Sequence, residues 1–276
     1  MVIAASLTVS VAALAAHGQA PSPTTAAIVK RPVTFRSAGL KLTGFLFKPE
    51  GAGPFPALLW NHGSERAPGR GRQFDAAAEI FGRAGYVLFA PVRRGHDGSE
   101  GEYIVDQINH ARESAGPQAA NRLVVRMLET EQLDDQLAGL AYLKGLPFVD
   151  SSRIVVAGCS YGGIQTLLGA ESGAGYRAAV AISPAALSWQ GNPLLQTRLL
   201  HAVRKIEIPV MILQPPKDAS LEPVHVLGGE FKRLGKPFVG KVYPLEGPED
   251  QQGHCFGGAI GMHVWADDVL AFLKQR

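Results

Sequence analysis

Cysteine is scarce in this chain: two in 276 residues, Cys159 and Cys255, too few for the disulfide framework that holds small secreted folds together. Neither a Cys-x-x-Cys pair nor a His-Glu-x-x-His run occurs, so no metal site is expected. Charge of one sign is also lacking, because 27 Lys and Arg against 24 Asp and Glu leave only +3, scattered along the chain. A protein that neutralises phosphates needs a clustered positive face, and nucleic acid is not expected as a partner. Fixed-period repeats and sustained heptads are missing, which removes solenoids and coiled coils. What remains, at 46% hydrophobic and 18% charged residues, is the composition of a globular protein.

The longest uncharged stretch lies at the start. Val2 to Ala16 is mostly Ala, Val, Leu and Ile, shorter than the about 20 residues that a bilayer-spanning helix needs. Gly18 and Ala20 put small residues at the −3 and −1 positions of a cut after Ala20, and Pro21-Ser22-Pro23 follows. Residues 1–20 therefore read as a secretory signal whose only positive charge is the amino terminus, with a frayed tail or membrane anchor as the alternative. On the first reading the protein is exported, periplasmic or secreted; otherwise it is cytoplasmic. No linker divides residues 21–276, which are expected to form one domain without stable membrane association.

Within that domain strand-like and helix-like segments alternate. Pro32 to Ser37 and Leu40 to Lys48 read as an antiparallel hairpin turned at Ala38-Gly39. Apolar runs at 56–60 (PALLW), 86–91 (YVLFAP), 153–157 (RIVVA), 178–182 (AAVAI), 209–213 (PVMIL) and 238–243 read as further strands, most of them covered on both faces. Helical spacing marks Phe74, Ala78 and Phe81; Leu133, Leu137 and Leu140; Ile164, Leu167 and Leu168; Val224, Leu227 and Phe231; and Trp265, Val269, Phe272 and Leu273. The alternation predicts an α/β fold, a mainly parallel sheet of about eight strands with helices on both faces. Polar, glycine-containing residues 93–118 break the rhythm and are expected as a long loop over a site.

The chemistry concentrates at Gly158-Cys159-Ser160-Tyr161-Gly162-Gly163, between the apolar strand at 153–157 and a helical segment. A G-x-S-x-G string in that context forms a sharp turn that exposes the central side chain, and Ser160 is the expected nucleophile. A serine hydroxyl needs a base, itself oriented by a third group. Of eight histidines, His17 lies in the expected signal, His96 and His110 in the long loop, and His201, His225 and His263 on helical segments. His62 and His254 remain. His254 follows the last expected strand, where sites of parallel sheets gather, and is the expected base. The acid should leave the strand at 209–213, which points to Asp218; Glu222, Glu246, Glu249 and Asp250 are its rivals. Backbone N–H groups of Tyr161 and of Ser64, in the strand-end loop Asn61-His62-Gly63-Ser64, are the expected oxyanion donors. His62 is then expected to pack or hydrogen-bond locally.

Strand-His62-Gly63-Ser64, the elbow at Ser160, Asp218 and His254, in that order, resemble the α/β-hydrolase superfamily over residues 32–276, and most of all its dienelactone hydrolase-like and prolyl oligopeptidase-like branch. The resemblance implies a serine hydrolase that needs no cofactor and acts on a small ester or short peptide. The small dienelactone hydrolases proper use cysteine as nucleophile, whereas the central residue here is Ser160, and the propeller that restricts prolyl oligopeptidases to short peptides is lacking. Ester hydrolysis through an acyl-enzyme is the expected activity. An exopeptidase or amidase, acyl transfer to an alcohol or thiol, and a non-catalytic ligand-binding protein on the same fold are the alternatives. Cys159 is expected to face the interior as a small hydrophobe, with a Cys159–Cys255 disulfide as the alternative if the chain is exported. Arg93 and Arg94 are expected to be solvated or salt-bridged rather than to hold a substrate carboxylate. Substrate identity, expected to be set by loops such as 93–118 and 190–195, and oligomeric state stay open.

Overall fold

Four consecutive apolar residues in a strand, as in Ala57-Leu58-Leu59-Trp60, demand cover on both faces, and the chain supplies it with two separate helical layers. Residues 28–274 are described in a computed structural model; the expected signal, residues 1–20, lies outside them. Eight strands form one sheet in the order β1-β2-β4-β3-β5-β6-β7-β8. β1 (Val29–Ser37) and β2 (Leu40–Lys48) make the opening antiparallel hairpin, and β2 runs antiparallel to β4 (Val87–Val92). Its two-residue turn places both Ala38 (φ 46) and Gly39 (φ 87) in the left-handed region, which matches the twist of paired strands. From β4 onward every pairing is parallel, through β3 (Phe55–Asn61), β5 (Val149–Cys159), β6 (Ala179–Ile182), β7 (Val210–Gln214) and β8 (Phe238–Val242).

Strand periodicity sorts the apolar side chains between the layers. Ala57 and Leu59 face the cluster built with α3 (Glu131–Lys144), α4 (Tyr161–Glu171), α5 (Pro193–Lys205) and α6 (Glu222–Arg233). Leu58 and Trp60 face the opposite cluster, covered by α1 (Gln73–Arg83) and α7 (Met262–Lys274), where Trp60 stacks on Trp265. Strand, helix placement and connection order are those of an α/β-hydrolase fold, as expected. No helix among the described residues is long and apolar enough to cross a membrane.

The long loop expected at 93–118 is corrected: only its first part is irregular, and α2 runs Ile104–Glu129, with His110 on it. Just Ile104, Ala120, Met127 and Leu128 of α2 are buried, so no helical period is legible in its sequence. Gly116 and Pro117, which read as loop residues, mark a break inside it. Gly116 adopts φ 80, ψ 174, and Pro117 opens a new helical run at a position whose N–H would have no partner. The loop expected at 190–195 likewise ends at Asn192, whose side chain caps α5 by accepting from Leu195 N–H at 3.1 Å.

The connections place the site. β3 leads to β4 on one side and β5 pairs β3 on the other, so the chain leaves these neighbouring strands in opposite directions. That divergence opens a crevice at their carboxyl ends. The end of β3 carries His62-Gly63-Ser64 and the end of β5 carries Ser160.

Candidate active site

Ser160 joins β5 directly to α4 with φ 59 and ψ −121, a left-handed conformation that costs a non-glycine residue about 1–3 kcal/mol. The surroundings hold it there: Ser160 N–H donates to Ile182 O on β6 at 2.9 Å, and Ser160 O accepts from Ile164 N–H in the first turn of α4. The glycines on either side are dictated by the neighbouring strand. A Cβ on Gly158 would lie 2.6 Å from Asn61 O, and one on Gly162 2.6 Å from His62 O. The elbow therefore passes under the end of β3 at a distance no side chain allows.

Asp218 and His254 come from different loops and meet. Asp218 follows β7, its side chain fully buried, and its Oδ1 accepts from His254 Nδ1 at 2.7 Å. Burial alone would raise the Asp218 carboxyl, but hydrogen bonds from His254, Ser183 and Gln214 outweigh it and hold the group below its ordinary value. Gln214, at the end of β7, donates to Asp218 Oδ2 at 3.1 Å and to Ser220 O at 2.8 Å, and accepts from Val224 N–H, so it ties the Asp218 loop to α6. The His254 loop is anchored to the Asp218 loop by Lys217 N–H donating to Gln252 O, and to the end of β6 by Cys255 N–H donating to Ser183 Oγ at 3.1 Å. With Nδ1 engaged, His254 Nε2 is buried and has no hydrogen-bond partner among the described residues.

Ser160 and His254 line one cavity of about 690 Å³, together with Gly63, Ser64, Glu65, Arg72, Tyr103, Leu187 and both cysteines. A second cavity of about 370 Å³ adjoins it through Ser64, Val105 and Leu187; its wall is mainly apolar, from Ile104, Ile108, Val124, Tyr161 and Ile164. The long segment thus does cover the site, but with the first turns of a helix. Residues 190–195 contribute only Gly191 and Asn192.

Tyr161 opens α4, so its N–H has no partner four residues earlier in the helix. The loop carrying Ser64 N–H is fixed in an unusual way: four consecutive carbonyls are held by side chains. Arg93 donates to His62 O at 2.7 Å and to Gly63 O, the Tyr103 hydroxyl donates to Ser64 O, and His96 Nδ1 donates to Glu65 O at 2.8 Å. Ser64 N–H is left without a protein partner among the described residues. His62 does not face the cavity. Its Nε2 accepts from Arg93 N–H at 3.1 Å, which leaves Nδ1 to donate to Gly63 O, and burial beside Arg93 keeps it neutral, well below an ordinary histidine.

Two expectations about side chains are corrected. Arg94 is salt-bridged, with a bidentate pair to Asp135 at 2.6 and 2.9 Å, but Arg93 is neither solvated nor salt-bridged. It is 2% exposed, binds backbone carbonyls, and its guanidinium lies over the Tyr161 ring, 5.1 Å from the centroid. Burial lowers its pKa to about 10, so it stays charged at neutral pH. Arg93 sits at the end of a buried strand, and that position, rather than the charge pair in its sequence, decides its environment. Cys159 is buried as expected, but it is not a free thiol. It is bonded to Cys255, with a Cα separation of 6.1 Å. The residue after His254 brings the second sulfur to it across 96 residues of sequence, and both cysteines line the same cavity as Ser160. Ser183 is the site residue that sequence reasoning passed over, and Arg93 was weighed there only for a substrate carboxylate; each lies just beyond an apolar strand, a position that could have flagged them.

Known proteins bear on the same arrangement. Residues 118–192 match the family model described as the prolyl oligopeptidase family, a span that includes the elbow but neither Asp218 nor His254. The "Uncharacterized peptidase YtmA" of Bacillus subtilis (strain 168) is 24% identical, over 74% of this chain and 80% of that protein. The Pyrococcus furiosus esterase PF2001 superposes with a TM-score of 0.67 at 18% identity, covering 90% of this chain and 91% of the other. A putative dienelactone hydrolase from Klebsiella pneumoniae superposes with a TM-score of 0.66 at 19% identity, covering 91% and 100%. These likenesses extend to esterases and peptidases alike, and the fold they share is of the serine-hydrolase type. With its mainly parallel eight-stranded sheet and a serine elbow between β5 and α4, the chain has the α/β-hydrolase fold and is similar to dienelactone hydrolase-like and prolyl oligopeptidase-like proteins.

Proposed function

We propose that the chain hydrolyses carboxylic esters through Ser160, His254 and Asp218. One observation carries the reading: a serine on a strained elbow and a histidine whose Nδ1 is committed to a buried carboxylate line the same cavity, while the histidine's Nε2 has no hydrogen-bond partner among the described residues. His254 Nε2 takes the Ser160 proton as Oγ bonds to the ester carbonyl carbon. Ser64 and Tyr161 N–H groups receive the oxyanion. Collapse breaks the bond to the alcohol oxygen, which takes the proton from His254, and a water activated by the same imidazole then frees the acid and restores Ser160. Asp218 fixes the imidazole tautomer and stabilises imidazolium without taking the proton. This chemistry requires no metal or organic cofactor. The adjoining apolar cavity suits the acyl group.

A second reading, an exopeptidase, is favoured by Glu65, whose carboxylate lines the cavity beside Gly63 and could pair with the free amine of a peptide. The test is intact mass after reaction with a fluorophosphonate, on the wild type and on Ser160→Ala, followed by steady-state rates on activated esters and on amides with free or blocked amino ends. The ester reading requires one adduct at Ser160, absent in the variant, and ester turnover well above amide turnover. Equal or faster cleavage of free-amine amides, lost in Glu65→Gln, would replace it with the exopeptidase. A folded protein that takes no adduct would make the chain a ligand-binding member of the fold.

A further inference from the structure

We propose that the Cys159–Cys255 disulfide is a positioning element of the hydrolytic site, holding His254 over Ser160, so that turnover depends on the bond being closed; this rests on the serine hydrolase reading above. The two sulfurs belong to the residue before the nucleophile and the residue after the base. A single covalent link therefore joins the two groups between which the proton must pass, across 96 residues of sequence.

The segment that carries His254 has no long element of its own to place it. Between the end of β8 at Val242 and the start of α7 at Met262 there are only short 3-10 turns. Cys255 and Phe256 both adopt left-handed backbone, φ 55 and 56, conformations that non-glycine residues keep only where the surroundings impose them. Four ties hold the segment: Lys217 N–H to Gln252 O, His254 to Asp218, Cys255 N–H to Ser183 Oγ, and the disulfide to β5. The first three fix the loop to the Asp218 loop and to the end of β6. The disulfide fixes it to the strand that carries Ser160. A displacement of about 1 Å in a reacting group costs on the order of 100-fold in rate, which is the scale on which a loosened loop would be felt.

Cys159 and Cys255 both line the cavity, so a small reductant that enters the site can reach the bond. A thiolate of dithiothreitol, a dithiol, attacks one sulfur and gives a mixed disulfide. Its second thiol closes the ring, leaving oxidised dithiothreitol and two cysteine thiols on the protein. The enzyme would accordingly be assembled in its active form in an oxidising compartment and slackened in a reducing one.

The experiment compares the full chain in its oxidised form, after dithiothreitol with iodoacetamide mass tagging to count thiols, after reoxidation, and as Cys159→Ala/Cys255→Ala. Each sample is measured for kcat and KM on an activated ester, fluorophosphonate labelling rate at Ser160, and far-UV and near-UV circular dichroism. We expect opening of the bond to lower kcat and the labelling rate at least 10-fold, with KM within about twofold and the far-UV signal unchanged. Reoxidation should restore the wild type, and the double variant should resemble the reduced protein and ignore reductant. A reduced, tagged protein that keeps its kcat within twofold would overturn the proposal, as would loss of activity only in step with loss of the far-UV signal, which would make the bond a general staple. If the oxidised wild type takes no label at Ser160, it is the hydrolase reading that fails, and the positioning role falls with it.

Discussion

The Arg93 guanidinium carbon lies 5.1 Å from the centre of the Tyr161 ring while its nitrogens bind the carbonyls of His62 and Gly63. One buried cation thus spans the two segments that present the Ser64 and Tyr161 N–H groups. A planar fork can bind two adjacent carbonyls and stack on a ring at once, which an ammonium cannot. Arg93→Lys should therefore lower kcat about 10-fold with little change in KM. Arg93→Met, which orphans the buried His62 carbonyl at about 1–3 kcal/mol while Gly63 O keeps its bond from His62 Nδ1, should lower stability by about 1–3 kcal/mol in urea unfolding. Unchanged kcat in a folded Arg93→Lys would separate this residue from the donor loop.

Ser183 touches both Asp218 and the residue after His254. Its hydroxyl accepts from Cys255 N–H at 3.1 Å and bonds to the Asp218 carboxylate, which it helps hold down. Ser183→Ala should reduce kcat about 10-fold through a displaced His254, and Ser183→Thr should recover part of it. A loss confined to stability, with kcat intact, would make Ser183 a purely structural contact.

Replacing Asp218 with Asn keeps the shape but offers His254 Nδ1 an amide in place of a carboxylate. In a triad of this kind the wrong tautomer costs about 10,000-fold in kcat. Asp218→Asn should show a loss of about 1,000-fold to 10,000-fold on an activated ester, with circular dichroism like the wild type. A loss under 10-fold would move the acid's role to one of the rivals near residue 246–250.

Acid should destabilise the protein before any carboxylate is lost. Burial, and after it the charge of Arg93, holds His62 well below its ordinary value and His96 down to about 3. An unfolded chain takes up protons on both at about pH 6.5 while the folded chain refuses them. Stability is therefore full above that pH and falls as pH drops, by up to about 1.4 kcal/mol per pH unit for each histidine. Asp218, lowered in the folded state, adds its own loss only below its unfolded value of about 4. Urea midpoints between pH 6.5 and 4 should fall steeply in the wild type and about half as steeply in His96→Gln; a flat profile would contradict the burial of both rings as neutral groups.

Strand and helix order was legible in the sequence because it rests on local periodicity. All eight strands appear near their expected positions, since buried parallel strands must be continuously apolar and turns must interrupt them. α2 was not legible, because a helix that buries only four residues carries no period, and its Gly116-Pro117 break imitates a loop. Ser160 stood out by the glycines its turn requires, and Asp218 and His254 by following strands in the right order. The meeting of those two at 2.7 Å, the joining of Cys159 to Cys255, and the burial of Arg93 among carbonyls are tertiary facts. Each depends on which loops the sheet order brings to the same end of neighbouring strands, a distance between segments far apart in the chain. Periodicity within a segment determines the element; only packing between segments decides which side chains share a cavity and which charges lose their water.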